Sequence, residues 1–355
     1  MSKKIPQYTY RPLETPASVR VLDLHPAPAF SDPLEASLVH VDRNQRFLPV
    51  SNEASSVRSY DAVSYCWGNF DSSCVLLLEG HAHCITPNVD AMLRQLRRDS
   101  PKTRPRRLWI DAICLNQHDA EEKATQVQLM GDIFRQADKV RIWLGTASDA
   151  DSIPRIFAFW KGLAATIDHT STSSEQKGLY LSALWSSISG DADFQPILDF
   201  LARPWFRRRW ILQEVSLGHH IKVHCGAHSI PWAWLQEGIC EMPLQYPGFE
   251  KKHAEAVQSV RGLRQGRAEY LETLRLFHTT ECSEPRDRLF ALYGMASDID
   301  SPDEISDDAF RLHAGFISYK VTYAGTWVEA YKSFAQACIT AGKIDGIFDH
   351  LASFG

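Results

Sequence analysis

A chain of 355 residues, 44% hydrophobic and 23% charged, has enough apolar material for one large α/β domain with additions or for two modest ones. Its formal charge of −5 excludes a general coat on nucleic acid, so any basic effect is local. The opening MSKKIPQYTY lacks the apolar region of a secretory signal, and no uninterrupted apolar run approaches the roughly 20 residues that span a bilayer. Eight cysteines (66, 74, 84, 114, 225, 240, 282 and 338) without a CxxC pair fit reduced thiols in the cytoplasm better than a disulfide framework.

Residues 1–58 are rich in proline and polar residues, with short apolar runs such as VRVLDL, which predicts an irregular arm with one or two edge strands. YDAVSYCWG reads as a buried strand that runs into a loop ended by a glycine. CVLLLEGHAHCIT reads as a hairpin turning at Glu79-Gly80. Thr86 and Pro87 then start a helix whose stripe is Val89, Met92, Leu93 and Leu96.

RLWIDAI is a short apolar strand and CLNQHD the loop after it. Asp119 and Glu122 begin a helix with Val127, Met130, Phe134 and Ala137 on one face, and KVRIWLG is the next strand. Strand, loop, helix and strand make a βαβ unit with parallel pairing. Sites in open parallel sheets gather beyond the carboxyl ends of the strands, which places the SYCWGN and CLNQHD loops on one rim.

RIFAFWKGLAATI reads as a helix, DHTSTSSEQKG as a surface loop, and RPWFRRRWILQEVSLG as a helix that stops at Gly218. IKVHCGAHSI is a second hairpin, PWAWLQEGI a short helix, and PLQYPGFEKK a loop. The remainder reads as helical, with SEPRDRLFALYGM its most distinctive segment. There Ser283 can cap a helix that has Pro285 in its first turn, and Asp287 is expected to anchor the C-terminal helices.

Several clusters allow a dull reading beside a chemical one. HAHC (81–84) and HHIKVHCGAH (219–228) lie in hairpins without the paired spacings of structural zinc, so no metal is assigned. Cys114 near His118 and Asp111 is either a thiol nucleophile or a small core residue. The run RRDSPKTRPRR (97–107) is either a solvated connection or a phosphate-facing patch. Neither a Walker motif nor GxGxxG occurs. If RRRWILQEV is helical, Arg207, Trp210 and Glu214 share one face. They then form either a surface Arg–Glu pair or a site for a charged aromatic nucleotide. Asn116 and Gln117 follow a strand end, where amides can meet a ligand or close a turn.

Four blocks (YDAVSYCWG, LWIDAICLNQHDAEEKATQVQLMGDIFRQADKVRIWLG, RPWFRRRWILQEVSLG and ECSEPRDRLFALYGM) resemble, in order, those of the fungal heterokaryon-incompatibility (HET) domain. VTYAGTWVEAYKSFAQACITAG resembles the helix that follows it. The resemblance implies an N-terminal arm (1–58), a HET domain (59–300) and a helical extension packed on it (301–355), in a chain expected to continue beyond Gly355. It implies a cytoplasmic cell-death effector of non-self recognition that self-associates, with a regulatory partner or fused sensor domain.

The family is similar to TIR domains, which implies a TIR/flavodoxin-like parallel sheet with helices on both faces and added hairpins. Several TIR domains cleave NAD+ at the nicotinamide–ribose bond and carry a tryptophan four residues before the catalytic glutamate, as Trp210 and Glu214 stand here. On that likeness Glu214 is catalytic, while Tyr65, Trp67, Gly68, Asp111, Asn116, Gln117, Arg207 and Trp210 bind NAD+ as substrate, with no cofactor. The rival expectation is a non-catalytic signalling module that acts by recruiting partners. A third is a sensor that holds NAD+ without cleaving it.

Overall fold

The computed structural model describes residues 5–42, 59–68, 71–100, 102–148, 151–169, 191–242, 249–299 and 315–348. Of the expected surface tract at 168–178 and loop at 243–252, residues 170–178 and 243–248 lie outside them, while Asp168 and His169 end a helix (Ile153–His169) and Lys251 and Lys252 begin another (Lys251–Leu263). The chain divides into two compact units. One holds 1–118, 136–162 and 218–235; the other holds 119–135, 163–217 and 236–355.

The first unit is built on a nine-stranded sheet: β1 (Ser18–Leu24), β2 (Leu34–Asp42), β3 (Asp61–Tyr65), β4 (Cys74–Leu78), β5 (His81–Ile85), β6 (Arg106–Trp109), β7 (Lys139–Trp143), β8 (Lys222–Cys225) and β9 (His228–Pro231). Their spatial order is β5-β4-β2-β1-β6-β3-β7-β8-β9. β3 lies between β6 and β7 and is parallel to both, and β8 is parallel to β7. DAVSY, RLW and KVRIW therefore share one parallel sheet, as their two-sided apolar character requires. Taken in chain order these four strands read 2-1-3-4, the order of flavodoxin-like doubly wound sheets.

The arm departs from expectation. β1 and β2 are interior strands: β1 is antiparallel to both β2 and β6, and β2 also pairs with β4. The reason is legible in the burial of Val19, Val21, Leu22 and Leu24, a run closed to water on both faces. The arm's first residues cover the outer edge of β5 instead. Ala82 N–H donates to Pro6 and Tyr8 N–H to the carbonyl of Ala82, both at 2.8 Å, which protects an otherwise open edge.

Local chemistry accounts for the expected elements that form. β4 and β5 are antiparallel about Glu79 (φ 51) and Gly80 (φ 78), both left-handed as a two-residue turn needs. Helix α1 (Pro87–Leu96) buries Val89, Met92, Leu93 and Leu96, and Thr86 Oγ1 accepts from Val89 N–H. The second hairpin pairs β8 with β9. The strand RLWIDAI is shorter than read. It stops at Trp109, and Asp111–Cys114 forms a one-turn helix, α2. Helix α3 (Ala120–Gln136) begins at Asp119, whose Oδ1 accepts from the amides of Glu121 and Glu122 at 3.0 Å, and it joins β6 to β7.

The second unit is helical, with segments Asp191–Leu201, Lys251–Leu263, Tyr270–Leu276 and Trp327–Thr340. Gly294 is required there. A Cβ on it would lie 2.9 Å from Gln213 Oε1 and 3.1 Å from the Gly131 Cα, closer than real side chains approach. Arg209 is only 1% exposed. Its guanidinium donates to the carbonyls of Arg288 (2.8 Å) and Phe277 (2.7 Å) and to Thr280 Oγ1 (2.9 Å), so carbonyl dipoles take the place of water. The helix in SEPRDRLF spans Asp287–Phe290 with Arg286 as its first flanking residue, and the side chain that accepts from the Arg286 amide is Glu284, not Ser283.

Candidate functional site

In the first unit the carboxyl ends of β3 and β6 carry a connected polar set. The Trp67 Nε1–H donates to Asp111 Oδ2 at 2.8 Å, and Asp111 Oδ1 accepts from the Ala112 amide at 2.8 Å. Gln117 Nε2 donates to the Asp111 carbonyl at 3.0 Å. The Thr86 hydroxyl reaches the Trp67 carbonyl at 3.4 Å. Asn88 ties two strand ends together, donating to the Cys66 carbonyl at 2.6 Å while its Oδ1 accepts from Trp143 Nε1 at 2.9 Å. Gly68 follows with φ +73, a conformation that favours glycine.

Trp67, Thr86 and Gln117 of this set line a cavity of about 210 Å³, together with Tyr65, His83 and His118 among others. That is below the ~300–1,000 Å³ of sites for drug-sized ligands, so it suits one ring or sugar rather than a whole dinucleotide. Tyr10 completes the wall: its hydroxyl donates to the Ile113 carbonyl at 2.9 Å, and its ring meets His83 edge-on at 6.0 Å. Burial lowers the His83 pKa, so this imidazole is neutral near pH 7. Of the expected rim residues, Tyr65, Trp67 and Gln117 line the cavity and Asp111 fixes the indole. Asn116 closes a turn, its Oδ1 accepting from the His118 amide at 3.3 Å.

In the second unit, RPWFRRRWILQEV is not one helix. Pro204–Arg207 is a 3₁₀ turn, Arg208 is extended (φ −69, ψ 130), and the helix proper is Ile211–Ser216 with Trp210 flanking it. The break has a cause: the Arg209 amide donates to Glu281 and the Glu281 amide to Arg207, both at 2.7 Å. The arginine run is thus held as extended backbone against residue 281. The expected common face of Arg207, Trp210 and Glu214 is therefore corrected. Arg207 pairs with Glu281 at 2.9 Å, Trp210 Nε1 donates to Asp287 Oδ2 at 2.9 Å, and Arg208 pairs with Glu214 at 3.4 Å. Glu214 is 2% exposed and Trp210 8%, so the reading of a solvated surface pair is also corrected.

Asp287 itself is held by Tyr323, whose hydroxyl donates to Oδ1 at 2.6 Å. Burial raises the Asp287 pKa, and the bonds from Tyr323 and Trp210 oppose the rise. Cys114 is core, with its thiol pushed up to about 12 by burial; this removes it as a nucleophile. Among the described residues no group of three His, Cys, Asp or Glu side chains is placed to hold a metal ion, and no helix is long and apolar enough to cross a membrane.

Sequence reasoning missed Asn88, Tyr10, His83, Arg208 and Tyr323. Asn88, a polar residue in the first turn of a helix that follows a strand, carried a faint signal. The others are brought in by tertiary pairing that no local pattern announces.

Residues 60–214 match the family described as heterokaryon incompatibility protein (HET). Over 240 residues the chain is 30% identical to heterokaryon incompatibility protein 6, OR allele, of Neurospora crassa, an alignment covering 59% of this chain and 33% of that protein. The chain thus spans about a third of the length of the curated relative it matches. No solved structure matches it.

Proposed function

We propose that this chain, whose residues 60–214 match the HET family, acts as a cell-death effector of fungal incompatibility and does so by cleaving NAD+ at the nicotinamide–ribose bond. The observation that carries the reading is the rim cavity, which presents an indole, a phenol and a primary amide beyond the carboxyl ends of β3 and β6. An aromatic wall beside an amide is what a carboxamide-bearing ring needs. In the reaction the C1′–N1 bond breaks, nicotinamide leaves with the electron pair, and positive charge develops on the ribose. Water then adds and releases a proton with ADP-ribose. A carboxylate stabilises the oxocarbenium-like transition state, as in glycoside hydrolysis; the likeness of the Trp210–Glu214 spacing to that of TIR domains, rather than any contact with the cavity, makes Glu214 the candidate for it.

A second reading is a non-catalytic module that recruits partners. It is favoured by the 2% exposure of Glu214 and by the bond that fixes Trp210 to Asp287, which suit a residue pair used for structure.

Incubating the purified chain with NAD+ and measuring released nicotinamide separates the two. Glu214→Ala is expected to lower turnover by ~10²–10³, with loss of host-cell killing and with the folded state checked by circular dichroism. Turnover that persists undiminished in a folded Glu214→Ala removes the catalytic role from Glu214. Killing by a parent chain without nicotinamide release supports the recruiting module.

A further inference from the structure

We propose that the amino end of the same parallel strands carries a second site, one for a phosphoryl group, formed by Arg106 and Arg141. The register places Arg106, Asp61, Lys139, Arg141, Lys222 and His224 on one face of the sheet. Asp61 stands opposite both Leu108 and Lys139, Arg141 stands opposite Lys222, and residues two apart share a face. Asp61 begins β3 while Tyr65 ends it, so this cluster is about 13 Å along the strand from the rim cavity.

Among the described residues the charges do not balance. Asp61 Oδ2 accepts from Arg141 Nε at 2.6 Å and stands 4.0 Å from Arg106 Nη1. Two guanidiniums thus share one carboxylate. Arg141 Nη1 lies 3.4 Å from His224 Nε2. Burial, then Arg141, Lys222 and Arg106, push that imidazole down to about 3, so His224 is neutral and brings no compensating or added charge. Among the described residues Arg106 Nε, a buried N–H, meets no hydrogen-bond partner. Burial and Arg141 also lower the Arg106 pKa to about 10, the mark of a cation without an adequate counter-charge.

A half-buried positive charge in excess, with an unused donor, favours an anion. Guanidinium forks match phosphoryl oxygens in pairs, and Lys139 and Lys222, both exposed, add the point charges that draw such a group in. The basic run at 97–107 divides accordingly. Arg97 is used on the carbonyls of Ala29, Phe30, Asp32 and Pro33, and Arg107 on Asp23, while Arg106 faces the cluster.

The test is calorimetric titration of the full chain with inorganic pyrophosphate at low, fixed ionic strength, alongside AMP and adenosine. Pyrophosphate is expected to bind, Arg106→Gln to weaken it at least about tenfold, and Asp61→Asn to tighten it, because the internal competitor for the guanidiniums is gone. A merely structural cluster would not tighten when its carboxylate is removed. AMP binding without adenosine binding assigns the site to phosphoryl groups carried on nucleotides; pyrophosphate binding alone assigns it to free phosphates. Should Arg106→Gln fail to fold, Lys139→Gln/Lys222→Gln, at two exposed positions, reads the same weakening. No binding by the parent chain, unchanged affinity in a folded Arg106→Gln or in the double lysine variant, or weaker binding in Asp61→Asn overturns the proposal.

Discussion

Asp287→Ala removes the acceptor on which two parts of the second unit converge. The carboxylate takes the Trp210 indole N–H at 2.9 Å and the Tyr323 hydroxyl at 2.6 Å. Tyr323 is further held between cations, with Lys123 4.8 Å and Arg286 5.2 Å from its ring centre. Hydrogen bonds to a charged group contribute about 1.5–3 kcal/mol each. The raised pKa of Asp287 shows that burial takes back part of that gain, so the net loss expected is ~3 kcal/mol. For a unit of this size, about 2–4 °C of melting temperature accompanies each kcal/mol, which predicts a fall of ~6–12 °C by calorimetry. Asp287→Asn keeps an acceptor for one donor and should fall about half as far. In a double-mutant cycle with Tyr323→Phe the coupling should be ~1–2 kcal/mol. A melting temperature within about 1 °C of the parent, or a cycle without coupling, would refute the anchoring role, and with it the account of how residues 319–331 are held.

Two further outcomes can be checked directly. The folded-state pKa of His224, about 3, lies below the unfolded value, so the unfolded chain binds the extra proton between those limits and stability falls as pH drops through that window. His224 should account for ~2 kcal/mol between pH 6.5 and 5. In denaturant titrations across pH, His224→Asn should flatten the slope, leaving the part due to His83 and His253, which burial shifts the same way. At the rim, Gln117→Ala should weaken NAD+ binding by calorimetry while costing only ~1 kcal/mol for the bond to the Asp111 carbonyl; Asn116→Ala should cost stability at its turn and leave affinity in place, and the reverse ranking would count against the cavity.

How far the chain could be read depends on the range of the interactions concerned. Thr86-Pro87 and the stripe from Val89 to Leu96 are local signals, and α1 follows them residue for residue. The three apolar strands around the α3 connection likewise announce a parallel core. Proline-rich surroundings point VRVLDL to an edge, while what decides its place is a strand's neighbours in space: β2 and β6, one of them more than 80 residues away. The expected arginine helix does not form, for the same reason. Spacing alone puts Arg207 and Glu214 on one face, but residue 281 captures the backbone between them, and no pattern within 203–215 contains that information. Cys114 and Asp111, close in sequence, separate in role because the thiol is enclosed and the carboxylate is turned onto Trp67.

The buried Arg208–Glu214 pair is where structural and functional explanations part most sharply. Its side chains are 18% and 2% exposed and stand 3.4 Å apart. At such burial the loss of hydration opposes the attraction, so well-packed apolar replacements of both partners are often neutral or stabilising by ~1–4 kcal/mol, while removing one partner costs ~3–5 kcal/mol. If the pair serves folding alone, Arg208→Met and Glu214→Leu should each destabilise, and the double variant should recover both stability and cell killing. If Glu214 is present for its charge, the double variant should regain stability yet neither release nicotinamide from NAD+ nor kill. Thermal denaturation and the NAD+ assay on the same four proteins decide between these. A stable double variant with full activity defeats the functional assignment of Glu214, because no carboxylate would then remain at that position to act.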